Sequence, residues 1–235
     1  NCYFIGGQNK AVGERQGYQT KVSGEYEYFV NEIDFYEESS KQESSVVLTD
    51  LLRKGIQNGI RVFEITNENV EVLLSATTGY YFLGENIDMS GKSWAPSNKF
   101  AGILDGKGYS ISNLKASNDC GLFGSLNGAT IRNIAMIDVD TSNAGGVFGY
   151  RIFSNSTIEN VFVSQKNIHT WYGGGLLRIH DGACTLTLKN VVMVMKSGTT
   201  VNTGFIAGRS AQKVVLDNCY FIGGQNKAVG ERQGY

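Results

Sequence analysis

The sequence predicts a mainly β fold, a parallel β-helix (solenoid) preceded by a short α/β cap or junction segment. Three observations carry this expectation. The first is a duplication: residues 1–18 and 218–235 both read NCYFIGGQNKAVGERQGY, so that Asn1 returns as Asn218. Strands tolerate exchange among Val, Ile, Phe and Tyr, so no fold requires letter-for-letter identity. Recent duplication explains it, and the chain reads as one period of a tandem array, a period of 217, followed by an overlap with the next. The second is an inner repeat of an apolar residue, any residue, Asn, and an apolar residue. It occurs as ISNL (111–114), IRNI (131–134), IENV (158–161), LKNV (188–191) and LDNC (216–219). The third is composition: 30 Gly against the single Pro96, among many Val, Ile, Phe, Tyr, Thr and Asn, suits short strands joined by tight turns.

In chain order, residues 1–18 read as the last half-coil of a preceding repeat. Residues 19–62 lack the coil pattern, and about 19–98 are expected to form the junction and cap, because an open solenoid end exposes unpaired strand edges and an apolar core. Within them, SGEYEYFVNEIDFYEESSKQESS places a strand near 26–30 and a polar loop over 39–45. Its carboxylates (Glu25, Glu27, Glu32, Asp34, Glu37, Glu38 and Glu43) lack the DxDxDG register of a calcium loop and read as a solvated face. LTDLLRKGIQNG suggests a short helix, with Thr49 or Asp50 as N-cap and Gly55 or Gly59 near its end. TNENVEVLLSATTG suggests a second, capped by Thr66 or Asn67 and closed by Gly79.

Residues 99–235 are expected to form the coils. The repeated asparagines are Asn113, Asn133, Asn160, Asn190 and Asn218, at successive gaps of 20, 27, 30 and 28. One solenoid coil of two or three short strands takes about that length. Apolar residues alternate beyond each Asn, as at Val191, Met193 and Met195, the period of a strand with one buried face. An Asn at the same place in every coil can bond the amide above and below it, so all five are expected to stack along one corner. A glycine motif recurs between them: GLFG (121–124), GVFG (146–149), GLLR (175–178) and GFIAG (204–208). It calls for a sharp bend with positive φ or for close approach of successive coils.

Few chemistries fit this sequence. A net charge of −1 offers no phosphate-binding surface, and no run of about 18 apolar residues spans a membrane. Cys2 and Cys219 are copies of one position, leaving Cys120, Cys184 and Cys219 per period without CxxC or Cys/His metal spacing; buried thiols are expected. No GxxxxGK[ST] or GxGxxG sits between a strand and a helix, so no cofactor is implied. A β-helix enzyme needs carboxylates converging on one face. The candidates are Asp138 and Asp140, with Arg132, Arg151 or Lys189 nearby, but the matching places in later coils hold Ser164, Lys166 and Met195. The only histidines, His169 and His180, have no nucleophile partner in sequence. His169, Trp171 and Tyr172 in NIHTWYGG form a candidate ligand-contact loop, since exposed aromatics stack on sugars; packing of Trp171 over the solenoid is the competing account.

FAGILDGKGYSISNL, followed by GLFG, ATIRNI, GGVFGY and STIENV, resembles the GLUG-motif repeats of large bacterial surface proteins. The lead-in ITNENVEVLLSATTGYYFLGENIDMSGKSWAPSNKFAG is similar to the segment that precedes such repeats: a short helix, a strand ending in IDMSG, then W-x-P. The resemblance covers about residues 63–222, and GGGLLRIHDG departs from it with Arg178 where the motif usually has glycine. It implies a right-handed parallel β-helix of the pectin-lyase-like kind, at the extracellular cell surface, in display or adhesion. The expected function is a non-catalytic structural or adhesive repeat of a stalk or filament. Its partners would be neighbouring copies of itself head-to-tail and a host or matrix glycan or protein. The alternative is a carbohydrate-active β-helix enzyme or a tailspike-like polysaccharide-binding protein.

Overall fold

The computed structural model describes residues 2–5, 22–23, 26–29, 62–141, 145–168, 175–180, 184–195, 207–210 and 213–222. These form a parallel β-solenoid. Val62–Ile65, Tyr80–Leu83, Ile103–Asp105, Thr130–Thr141, Ser156–Ile168, Thr185–Met195 and Lys213–Ile222 each pair in parallel with the next. One line of register runs through Val62, Tyr80, Ile103, Thr130, Thr157, Thr187 and Val215. The step along the chain from rung to rung is shortest between Val62 and Tyr80 and longest between Thr157 and Thr187. Within the described stretch that starts at residue 62, stacking is present from Val62 on, inside the segment read as cap and junction. A second parallel sheet joins Gly149–Arg151, Leu177–His180 and Ala207–Ser210.

Each long strand is bent. Thr130–Thr141 turns at Asn133 (φ 52°) and at Asp138 (φ 54°), both left-handed. These bends interrupt the period of two, so that Ile131, then Ile134 and Met136, then Val139 and Thr141, all face one interior. The later long strands repeat the first bend, at Asn160, Asn190 and Asn218, which lines up like residues along the axis. Leu104, Ile131, Ile158, Leu188 and Leu216 form one buried line, and Ile111, Met136, Val163, Met193 and Phe221 another. Burying each such side chain contributes about 1.5–3 kcal/mol. Aromatic rings extend the pattern, with Phe100 stacked on Phe123 at 3.9 Å and Phe63 on Tyr81 at 4.8 Å. Cys120, Cys184 and Cys219 are buried, and burial pushes the Cys120 and Cys184 thiols above their ordinary pKa.

Three local expectations need correction. The segment TNENVEVLLSATTG forms a 3-10 helix, Val70–Ser75, that starts later and ends earlier than predicted. Its N-cap is Asn69 rather than Thr66 or Asn67, and Asn69 turns its side chain back to accept from the Thr66 amide. The chain leaves the helix at Ala76, in extended conformation, three residues before Gly79. In the third glycine motif the register sets Leu177 beside Gly149, so the departure lies at Leu177 and not at Arg178. Asp140 pairs with Asn167 and not with Lys166, because a register shift between Val139 and Asp140 leaves Lys166 as an extra residue. The predicted helix in LTDLLRKGIQNG lies outside the described residues, as do most of the acidic carboxylates. The strand expected near 26–30 is present as Tyr26–Phe29.

The first strands of the chain lie at the far end of the stack. Cys2–Ile5 pairs with Lys213–Ile222, Tyr3 beside Tyr220, and Tyr26–Phe29 pairs with Cys2–Ile5. Val22–Ser23 also pairs with Lys213–Ile222, Val22 beside Val214.

Candidate functional site

The polar side chains concentrate at the two bends. At the first, Asn133, Asn160, Asn190 and Asn218 all adopt φ of 51–52°. Asn tolerates this left-handed conformation better than other residues with a Cβ. Their amides form a continuous ladder: Asn160 donates to Asn133 at 3.0 Å, Asn190 to Asn160 at 2.7 Å, and Asn218 to Asn190 at 2.6 Å. Asn133 in turn donates to Asp105 Oδ1 at 3.1 Å, so the ladder stands on a carboxylate.

Asn113 does not belong to that column. Ser112 pairs with Ile137, which sets Asn113 beside Asp138 at the second bend. There it donates to Asp88 Oδ1 at 2.9 Å, while Asp138 accepts from Ser164 Oγ at 3.1 Å. The hydrogen bond from Asn113, then those from Ser90, hold the Asp88 carboxyl below its usual pKa. Register explains the displacement: Asp105 lies beside Arg132, so the next residue, Gly106, takes the place beneath Asn133, and Asn113 falls one bend further on.

Beside the asparagine ladder runs a column that sequence reasoning missed. The residue before each ladder Asn is charged, and the register stacks Asp105, Arg132, Glu159, Lys189 and Asp217 in alternating sign. The signal was in the second letter of IRNI, IENV, LKNV and LDNC. Opposite charges on neighbouring rungs stabilise the register, and like charges would oppose it.

At its buried end the column closes into a network. Asp105, 2% exposed, accepts from Arg132 Nε at 2.9 Å and Tyr80 Oη at 3.0 Å on Oδ2. Its Oδ1 accepts from the Lys107 amide and from Asn133. Burial, and then the Asp105 charge, push the Tyr80 phenol far above its ordinary pKa. Tyr80 therefore stays protonated and donates.

The candidate catalytic carboxylates are likewise engaged between rungs. Asp138 takes Ser164, and Asp140 accepts from Asn167 Nδ2 at 3.2 Å. Arg132 faces Asp105 and not Asp138. Arg151 lies over Tyr150 at 4.8 Å and, with Lys99 at 4.4 Å, against Phe153, a side chain 43% exposed. His169, Trp171 and Tyr172 fall outside the described residues. Among the described residues no group of three or more His, Cys, Asp or Glu is placed to hold a metal ion, and no helix is long and apolar enough to cross a membrane.

No protein-family model matches the chain, and no curated protein does. Among solved structures, that of "a putative immunoglobulin A1 protease from Bacteroides ovatus" is similar at 15% identity, over 74% of this chain and 83% of that one, with a TM-score of 0.35. So distant a likeness carries no argument about activity.

The ladder makes a first prediction. Asn160→Ala removes two amide contacts and sets a Cβ residue without local compensation at φ 52°. The expected loss is about 2–3 kcal/mol in urea unfolding, from about 1–2 for the left-handed backbone and about 1 for the amide. Asn160→Gly relieves the backbone part and should lose about half as much. Equal losses for the two variants would show that the amide ladder, and not the bend, carries the effect.

Proposed function

We propose that this chain is a non-catalytic extracellular repeat, structural or adhesive, of a stalk or filament at a bacterial cell surface. One observation carries the reading: the corner carboxylates and amides are spent on joining one rung to the next. Asp88, Asp105, Asp138 and Asp140 all accept hydrogen bonds from neighbouring rungs. An acid–base pair for glycoside or uronate chemistry needs carboxylates facing a bound sugar with a proton to give or take. The ordered GLUG-like motifs support the surface setting. The terminal duplication supports an array, because reach and avidity grow with copy number whereas catalysis does not.

A polysaccharide-binding reading is favoured by one feature, the exposed Phe153 ring with Lys99 and Arg151 against it. Such a face suits weak contacts to an acidic glycan, which an array would multiply. Incubating the purified chain with neutral and acidic polysaccharides, and following chain length by size-exclusion chromatography, tests the proposal. No shortening is expected. Depolymerisation that is lost in Asp138→Ala or Asp140→Ala would overturn it.

A further inference from the structure

The strand Lys213–Ile222 ends the run of rungs described by consecutive chain segments, and its free edge is covered by the beginning of the same chain. Val22 lies beside Val214 and Ser23 beside Val215. Counting onward in that register brings Tyr28 beside Tyr220. The sequences agree with this alignment: KVSGEYEYFV (21–30) against KVVLDNCYFI (213–222) keeps Lys, Val, Tyr and Phe at matching places. The strand Tyr26–Phe29 does not reach that position here. Cys2–Ile5 lies between, Tyr3 beside both Tyr220 and Glu27, which shifts the outer strand by one residue. Cys2–Ile5 is the duplicate of residues 219–222, stacked like on like. In a tandem array that duplicate is the preceding copy's own strand, and nothing remains to separate 26–29 from 219–222.

We infer that residues 21–30 are the rung that follows Lys213–Ile222, supplied by the next copy of this chain, so that the solenoid continues across the repeat junction. The inference rests on the array reading and specifies its joint. The spacing fits. Tyr235 stands at the place of Tyr18 in the next period, so Ser23 of that period follows Val215 by a step longer than Val62 to Tyr80 and shorter than Thr157 to Thr187. The edge needs a partner, because an unpaired parallel strand offers its N–H and C=O groups to any complementary chain. Val214, buried, stands beside Val22 by register, so the apolar letters continue in line. The alternating charges stop here, since the inferred register sets Glu25 beside Asp217. The joint is therefore held by the backbone ladder and the apolar line, and its occupant is a second copy of the same sequence.

The test is a chain of two periods, residues 1–217 followed by residues 1–235, carrying Val215→Cys in the first period and Ser23→Cys in the second. Neighbouring parallel strands lie about 4.8 Å apart, within disulfide reach. Mild oxidation should link the two sites, seen as one joined peptide by mass spectrometry and absent from each single variant. Tyr3→Cys in the second period, the residue that stands at place 220 of the first, should link as well to Tyr28→Cys in the second. In the single chain of residues 1–235, where Cys2–Ile5 intervenes, Val215→Cys with Ser23→Cys should link and Tyr220→Cys with Tyr28→Cys should not. If the thiol introduced by Ser23→Cys in the second period fails to link, or links only to one introduced at Val215 of its own period, the continuous joint is wrong. That failure leaves catalytic inertness untouched, whereas polysaccharide cleavage would remove the stalk reading whatever the cross-links show.

Discussion

Replacing Asp105 by asparagine should lower the stability of the solenoid by about 3–5 kcal/mol, as much as replacing it by alanine, the cost of stranding a buried charge. The reason is the direction of its hydrogen bonds. Tyr80 Oη and Arg132 Nε both donate to Oδ2, and the Lys107 amide and Asn133 Nδ2 both donate to Oδ1. Four donors converge, and a carboxylate is the side chain that accepts on both oxygens. An asparagine must turn its NH2 toward two of those donors, whichever way it is flipped. Arg132, with its side chain 15% exposed, would then be left as an uncompensated cation. Guanidinium unfolding of the two variants beside the parent chain checks this. An asparagine variant within about 1 kcal/mol of the parent, the size of one ordinary hydrogen bond, would mean that the charge is not needed.

The solenoid was legible in the sequence because its signals are periodic. IRNI, IENV, LKNV and LDNC recur at nearly constant spacing, and each contributes one left-handed Asn to the same bend. Asn113 carries the same four-letter pattern, but pattern alone does not say which bend a residue occupies; the strand register does. Asp105 was invisible for another reason: it carries no Asn pattern, register sets it beside Arg132, and it joins the ladder only by accepting from the Asn133 side chain. The charge column was legible in principle, since it is one letter in each motif. The stacking of Val22–Ser23 on Lys213–Ile222 was not, because the chain leaves the rung order at its own beginning and returns to the other end of the stack. Its one trace, the match of KVSGEYEYFV to KVVLDNCYFI, lies far outside the spacing at which the motifs recur.

Gly146→Ala should cost about 3 kcal/mol or more, at the upper end of what overpacking brings, although it adds a single methyl group to a backbone that is not left-handed. A Cβ at Gly146 would lie 2.7 Å from Leu177 Cα and 2.8 Å from the carbonyl carbon and oxygen of Leu176. These are backbone atoms of the next rung, so no side chain can swing aside. The rungs are also clamped there: Val147 donates to Gly175 at 2.8 Å and Phe148 to Leu176 at 2.9 Å. Opening them by about 0.6 Å, enough to restore ordinary contact, would stretch both bonds beyond the usual range of about 2.7–3.2 Å. Gly121 stands in the same relation one rung earlier, where a Cβ would meet the Val147 carbonyl oxygen at 2.7 Å. Gly108 is the control. Its φ of 85° disfavours alanine, but a Cβ there meets nothing within 4 Å, so Gly108→Ala should cost about 1–2 kcal/mol from the backbone alone. Urea midpoints of the two variants compared with the parent decide the matter. If alanine at 146 is tolerated as well as at 108, the glycine motif serves chain bending rather than the close approach of rungs.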